Sequence, residues 1–131
     1  MPYFGEGSLK QLATLDPDLQ MVLKEAIKHV DFSVVCGHRN QQDQHAAFVS
    51  GLSEVDWPYS MHNKQPSLAV DVAPYVHGIK WNDVEGFTLL AGIIKGIALM
   101  MNVKLRIGVD WDGDNFVREH SFIDRPHIEL A

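Results

Sequence analysis

Ser60-Met61-His62-Asn63-Lys64-Gln65-Pro66-Ser67-Leu68-Ala69-Val70-Asp71-Val72-Ala73-Pro74 begins as a polar, turn-forming run and ends as a short apolar one. The apolar part, residues 68–73, has the length and composition of a buried strand. It carries one carboxylate, Asp71, flanked by Ala69, Val70, Val72 and Ala73. Burying that charge is costly unless something positive compensates it. A second polar island in apolar sequence closes the chain, Asp124-Arg125-Pro126-His127-Ile128-Glu129-Leu130. His62 from a loop, Asp71 from a strand and His127 from a terminal strand would make a three-ligand zinc site. Three protein ligands leave a fourth position open, which is the catalytic rather than the structural pattern.

Each residue also has an ordinary role available. His62 reads equally as a surface or core histidine, and His127 as a packed edge residue. Asp71 has Arg39 and Arg106 as alternative partners. The spacing from His62 to Asp71 is not a helix-face motif of the His-Glu-x-x-His kind, so it has no built-in geometry. The metal reading rests on the combination of two polar islands, each embedded in strand-like sequence.

Outward from this stretch, the chain alternates helices and short strands. Residues 8–15 read as a short helix on Leu9, Leu12 and Leu15. Asp16-Pro17 restarts a helix, with Asp16 as N-cap and Pro17 at its first position. Leu19, Val22, Leu23, Ala26, Ile27 and Val30 then recur at helical spacing and give a core face. Residues 32–36 read as a strand ended by Gly37. Cys36 reads as a small packed hydrophobe rather than a nucleophile. Asn40 caps a helix to about Val49, stopped by Gly51, whose exposed face holds Gln41, Gln42, Asp43, Gln44 and His45. Residues 51–67 form a long polar connection of the kind that more often carries function than not. Asn82 to Glu85 resembles a capping box opening a helix on Phe87, Leu90, Ala91, Ile94, Ile97, Ala98 and Met101. Gly92 and Gly96 cost that helix about 1 kcal/mol each relative to Ala, and close packing on the sheet is the expected reason. Residues 103–109 and 126–130 read as strands, separated by a carboxylate-rich loop. The pattern predicts an α+β fold, with helices packed on a small, mainly antiparallel sheet.

With 131 residues the chain is expected to form one catalytic domain, 1–131, with a single core. A formal charge of −6 argues against a nucleic-acid partner, which needs a basic face. No basic segment leads into an apolar run near Met1, so no secretory signal is expected. Residues 87–101 are too short for a bilayer and contain Lys95, so no membrane insertion is expected. A lone cysteine permits no internal disulfide, which suits a cytoplasmic chain.

Ser60-x-His62 with Ala69-Val70-Asp71, the later Asp124-x-Pro126-His127, and Cys36-Gly37-His38-Arg39 upstream together resemble the M15 zinc peptidases. These include D-Ala-D-Ala carboxypeptidases and dipeptidases, and the L-alanyl-D-glutamate peptidases that bacteriophages use as endolysins. The resemblance spans residues 30–131. It departs from the commoner family pattern in a longer loop, nine positions separating His62 from Asp71, with the extra length in residues 63–67.

The resemblance implies a Hedgehog/D-Ala-D-Ala peptidase-like fold, zinc held by His62, Asp71 and His127, and Asp124 as general base. Asp124 has a surface alternative in pairing with Arg125 or Arg118, and Glu129 competes for the base role or supports His127 instead. His120 has no assigned role. The resemblance gives Arg39 the task of engaging substrate at the reacting carbonyl, for which a fixed guanidinium is suited. Gln44 is a further candidate for orienting substrate.

The implied activity is cleavage of the L-Ala–D-Glu bond of peptidoglycan by a monomeric endolysin. The enzyme would act from the host cytoplasm, reaching the wall through a membrane pore. The alternatives are a D-Ala-D-Ala carboxypeptidase or dipeptidase, and a non-catalytic zinc-binding recognition module such as the Hedgehog domain. Asp110, Asp112 and Asp114, whose carboxylates alternate around Gly113, have two readings: a regulatory calcium site resembling the first part of an EF-hand loop, or an unoccupied solvated acidic loop. No bidentate Glu stands at the EF-hand closing position, and Glu119 lies farther along.

Overall fold

The structure, a computed structural model, describes residues 2–115 and 123–131. Arg118, Glu119 and His120 lie outside the described residues. Helix α1 covers Glu6–Leu12 and α2 Pro17–Ala26; they are followed by strand β1, Phe32–Cys36, and helix α3, Gln41–Val49. A single 3-10 turn, Met61–Asn63, precedes strand β2, Ala69–Pro74. Helix α4, Val84–Met100, and strands β3, Leu105–Ile107, and β4, His127–Leu130, complete the order. The fold is α+β, and its four-stranded sheet runs β1-β2-β4-β3 with every pairing antiparallel.

Local chemistry accounts for the helix starts. The Asp16 carboxylate accepts from the Asp18 N–H at 2.9 Å while Pro17 occupies the first turn. The Asn40 side chain accepts from the Asp43 N–H at 2.8 Å, and Gly51 leaves α3 with φ +85°. At α4 the cap is Asp83 rather than Asn82: its carboxylate accepts from the Gly86 N–H at 3.0 Å. Helix α1 starts at Glu6, two residues before the expected Ser8.

The core lies between one face of the sheet and helices α1, α2 and α4. Val70, Val72 and Ile128 meet Leu19, Val22, Leu23, Leu90 and Ile94, all of them buried. Truncating one of these leucines to alanine is expected to cost about 2–5 kcal/mol. Gly92 and Gly96 do not pack on the sheet. Both are exposed, and nothing lies within 4 Å of where a Cβ would stand. The apolar stripe of α4 faces inward, and these two positions fall on the opposite side.

Because side chains alternate across a strand, the register decides what faces away from the core. Asp71 stands opposite His127 and Ala69 opposite Glu129. Asp71, His127 and Glu129 therefore share the face that Val70 and Ile128 leave. On the other side β1 carries a bulge between Val34 and Cys36, which brings Cys36 beside Asp71.

Candidate active site

The turn carrying His62 is built from a capping box. Ser60 Oγ accepts from the His62 N–H at 3.1 Å, and Asn63 Oδ1 accepts from the Ser60 N–H at 3.0 Å. The turn docks on the segment after β1, where the Arg39 N–H donates to the His62 carbonyl at 2.8 Å. His62, Asp71 and His127 then present one ligand atom each, all within 4.8 Å of one another. Asp71 Oδ1 lies 3.4 Å from His62 Nε2 and 3.5 Å from His127 Nδ1. For metal–ligand bonds of about 2.0–2.1 Å, a tetrahedral edge measures about 3.3–3.4 Å. The spacing thus suits a four-coordinate cation.

Two further observations test the fit. Among the described residues, His62 Nε2 and Asp71 Oδ1 are the buried side-chain polar atoms with no hydrogen-bond partner. Such atoms are costly, and a cation between them would satisfy both. The remaining polar atoms of the three side chains are engaged from behind. His62 Nδ1–H donates to the Gly37 carbonyl at 2.7 Å, which leaves Nε2 with its lone pair facing the site. His127 Nε2–H donates to Glu129 Oε1 at 2.7 Å, which leaves Nδ1 with its lone pair toward Asp71 Oδ1. Asp71 Oδ2 accepts from an Arg39 guanidinium nitrogen at 3.0 Å. These backing bonds fix tautomer and ring orientation, as metal-ligating histidines require. Two imidazoles and a carboxylate match zinc's preferences.

The charges agree with a site made for a cation. Burial opposes charging of His62, but the Asp71 carboxylate beside it holds its pKa at about 9. Burial likewise opposes charge on His127, and Asp71 and Glu129 raise it nonetheless. Burial pushes Asp71 up, but the two histidines hold it well below the usual carboxylate range. The cluster therefore draws in positive charge, from protons when no metal is present.

Asp124 stands on the Nδ1 side of His127, its Oδ2 3.9 Å from that atom. Burial and then the negative charge of Asp71 raise its pKa, the direction a general base near neutral pH needs. Its position depends on Gly108, which sequence reading passed over. Asp124 N–H donates to the Gly108 carbonyl at 3.0 Å, and a Cβ on Gly108 would run into the Asp124 carbonyl. Glu129 has its two oxygens turned to His127 and, at 3.6 Å, to Arg106.

A cleft of about 460 Å³ opens over the cluster, lined among others by Arg39, Tyr59, His62, Trp111, Asp124 and His127. Trp111 is a second residue that sequence reading missed, its ring 5.3 Å from that of His127. Nothing in its local sequence distinguishes it from a loop aromatic. Gln44, expected to orient substrate from an exposed helix face, does not line the cleft. It is fully buried, with both amide hydrogens given to Ser53 Oγ and the Val55 carbonyl.

Asp110, Asp112 and Asp114 also bring one oxygen each within 4.8 Å of one another. Here the backbone closes on the carboxylates: Asn115 N–H donates to Asp110 at 2.9 Å and Asp114 N–H to Asp112 at 3.2 Å. Lys95 stands 3.7 Å from Asp110, so the loop has a positive charge of its own.

Residues 2–131 match the family described as phage L-alanyl-D-glutamate peptidase. The chain is 33% identical to an L-alanyl-D-glutamate peptidase of Escherichia phage T5, with 98% of this chain and 97% of the relative covered. It also shares the fold of the Serratia marcescens L-Ala D-Glu endopeptidase ChiX, with a TM-score of 0.77 at 24% identity, over 98% of this chain and 90% of that one. The match along nearly its whole length shows that the chain belongs to the phage L-alanyl-D-glutamate peptidase family.

Proposed function

We propose that residues 1–131 act as one zinc peptidase unit, a monomer that cuts the L-Ala–D-Glu bond of peptidoglycan stem peptides as a phage endolysin. The observation that carries this reading is the pair of buried, unpartnered atoms His62 Nε2 and Asp71 Oδ1 beside His127 Nδ1, with Asp124 and Arg39 on the same cleft. His62, Asp71 and His127 would hold the ion. When bound, zinc polarises a carbonyl and lowers the pKa of a coordinated water to about 7.

The chain's own residues supply the rest. Asp124 takes the proton of the attacking water and later delivers it to the leaving amine, so that one carboxylate serves both steps. Glu129 keeps His127 in the ligating tautomer. Arg39, held against Asp71, turns its guanidinium to the cleft and stabilises negative charge developing on the carbonyl oxygen or carried by a substrate carboxylate. Among the described residues no helix is long and apolar enough to cross a membrane. An endolysin made in the host cytoplasm would then need a separate pore to reach the wall.

The test is digestion of purified peptidoglycan by the zinc-loaded chain, with the new ends identified by mass spectrometry. N-terminal D-glutamate is expected. Free D-alanine alone would select the carboxypeptidase alternative, and binding without products would select a recognition module. A calcium ion at Asp110, Asp112 and Asp114 belongs to the same proposal. Its support is the convergence of three carboxylates on one loop, and calorimetric titration with Ca²⁺ tests it.

A further inference from the structure

We infer that Gln44 is a positioning residue that couples the rim of the cleft at residues 53–55 to the guanidinium of Arg39; this rests on the reading of Arg39 as the arginine that engages substrate. Gln44 is fully buried on α3, yet it touches three separate parts of the site. The Val55 carbonyl, 2.7 Å from its amide nitrogen, can only accept, so the nitrogen must face the rim. The second amide hydrogen goes to Ser53 Oγ at 2.9 Å. The amide oxygen then points the other way. It accepts from Arg39 at 3.3 Å and from the Asn63 side chain at 3.2 Å. Asn63 also donates to the Arg39 carbonyl at 3.2 Å and belongs to the turn that carries His62.

Two donors and two acceptor lone pairs are thus all used by one side chain. A glutamate would lack the donors and a methionine both functions, so only an amide of this length serves both directions. The consequence for Arg39 is geometric. The bond to Asp71 alone would let the guanidinium turn about it; the second contact, to Gln44, sets its plane. Ser53, Glu54 and Val55 themselves line the cleft, so a substrate seated on the rim bears on the same amide that aims the arginine.

The experiment is a double-mutant cycle on the full zinc-loaded chain, with cleavage of a stem peptide followed by mass spectrometry. Gln44→Met, which keeps length and removes both hydrogen-bonding functions, should keep its zinc and lower kcat by about 10- to 100-fold in the native background. Combined with Arg39→Lys, the same change should add less than about twofold, because the planar group it acts on is gone. Ser53→Ala leaves Gln44 in place and removes one anchor, and keeps the question answerable should Gln44→Met fail to fold. It should cost about twofold or more in the native background and nothing measurable beside Arg39→Lys. Equal losses in both backgrounds, for either variant, would overturn the coupling while leaving the peptidase reading intact. A native chain that produces no N-terminal D-glutamate would overturn that reading and this inference with it.

Discussion

Two groups of side chains in this molecule bring three potential ligand atoms within the same 4.8 Å, and they are built differently. At His62, Asp71 and His127 the ligand atoms are enclosed, two of them lack any hydrogen-bond partner, and each side chain is gripped from behind by Gly37, Arg39 or Glu129. At Asp110, Asp112 and Asp114 only Asp110 is buried, and its carboxylate is met by Asn115 N–H and Lys95. Proximity of donors is common to both groups; the state of the donor atoms is not. In the first group polar atoms are left wanting on the inside and satisfied on the outside, and since burial makes unsatisfied atoms costly, that group has the stronger demand for a cation.

The largest effect should come from removing a member of the first group. His62→Ala is expected to lose bound zinc and fall to background activity, and chelation of the native chain should do the same until stoichiometric Zn²⁺ is returned. Full activity in a chelated, metal-free sample would erase the distinction between the two groups. Next comes Asp124→Asn, which keeps shape and removes the base. It should retain zinc and fold normally by circular dichroism, yet lose roughly 10²-fold or more in turnover. Near-normal turnover would shift the role to Glu129 or His120.

A smaller effect is expected behind the ligands. Glu129→Gln keeps an acceptor for His127 but removes the charge, and zinc affinity measured by competition with a chelator should fall about 10-fold. An unchanged affinity would mean that the backing bonds are not what separates the two groups. The smallest effect belongs to the acidic loop. Ca²⁺ at constant zinc should raise activity, and Asp112→Ala should remove that response with zinc still bound. No heat of Ca²⁺ binding in the millimolar range, together with activity indifferent to Ca²⁺, would leave the loop a solvated turn clipped by Lys95.

Local signals in the sequence were enough for the elements. Asp16-Pro17 and Asn40 start helices because a side chain two or three residues upstream can take an orphan N–H, a relation contained within one turn. The apolar stripes of α2 and α4 predicted the core for the same reason, since helical periodicity is local. His62, Asp71, His127 and Asp124 stood out as polar residues in apolar surroundings and by family resemblance. Their convergence required the β2–β4 register, which pairs Asp71 with His127 across 56 positions of chain, and no short motif encodes that.

Gln44 shows where local reading fails. Its helix neighbours Gln41, Gln42, Asp43 and His45 are all exposed, and composition grouped it with them. Only the folding of residues 53–55 back over α3 buries it and engages its whole amide. Gly92 and Gly96 fail in the opposite sense, because the sequence cannot tell a helix position packed on a sheet from one facing open space. Gly108 and Trp111 were invisible because their importance lies in partners, Asp124 and His127, that reach them from another strand or loop. The sequence by itself determined the helices, the strands and the apolar faces, which depend on near neighbours, and it singled out His62, Asp71 and His127 as candidate ligands by residue type and by resemblance. The tertiary structure alone decided which polar atoms are left without partners, which are braced, and which side chains see the cleft, because burial and hydrogen-bond satisfaction are set by segments distant in the chain.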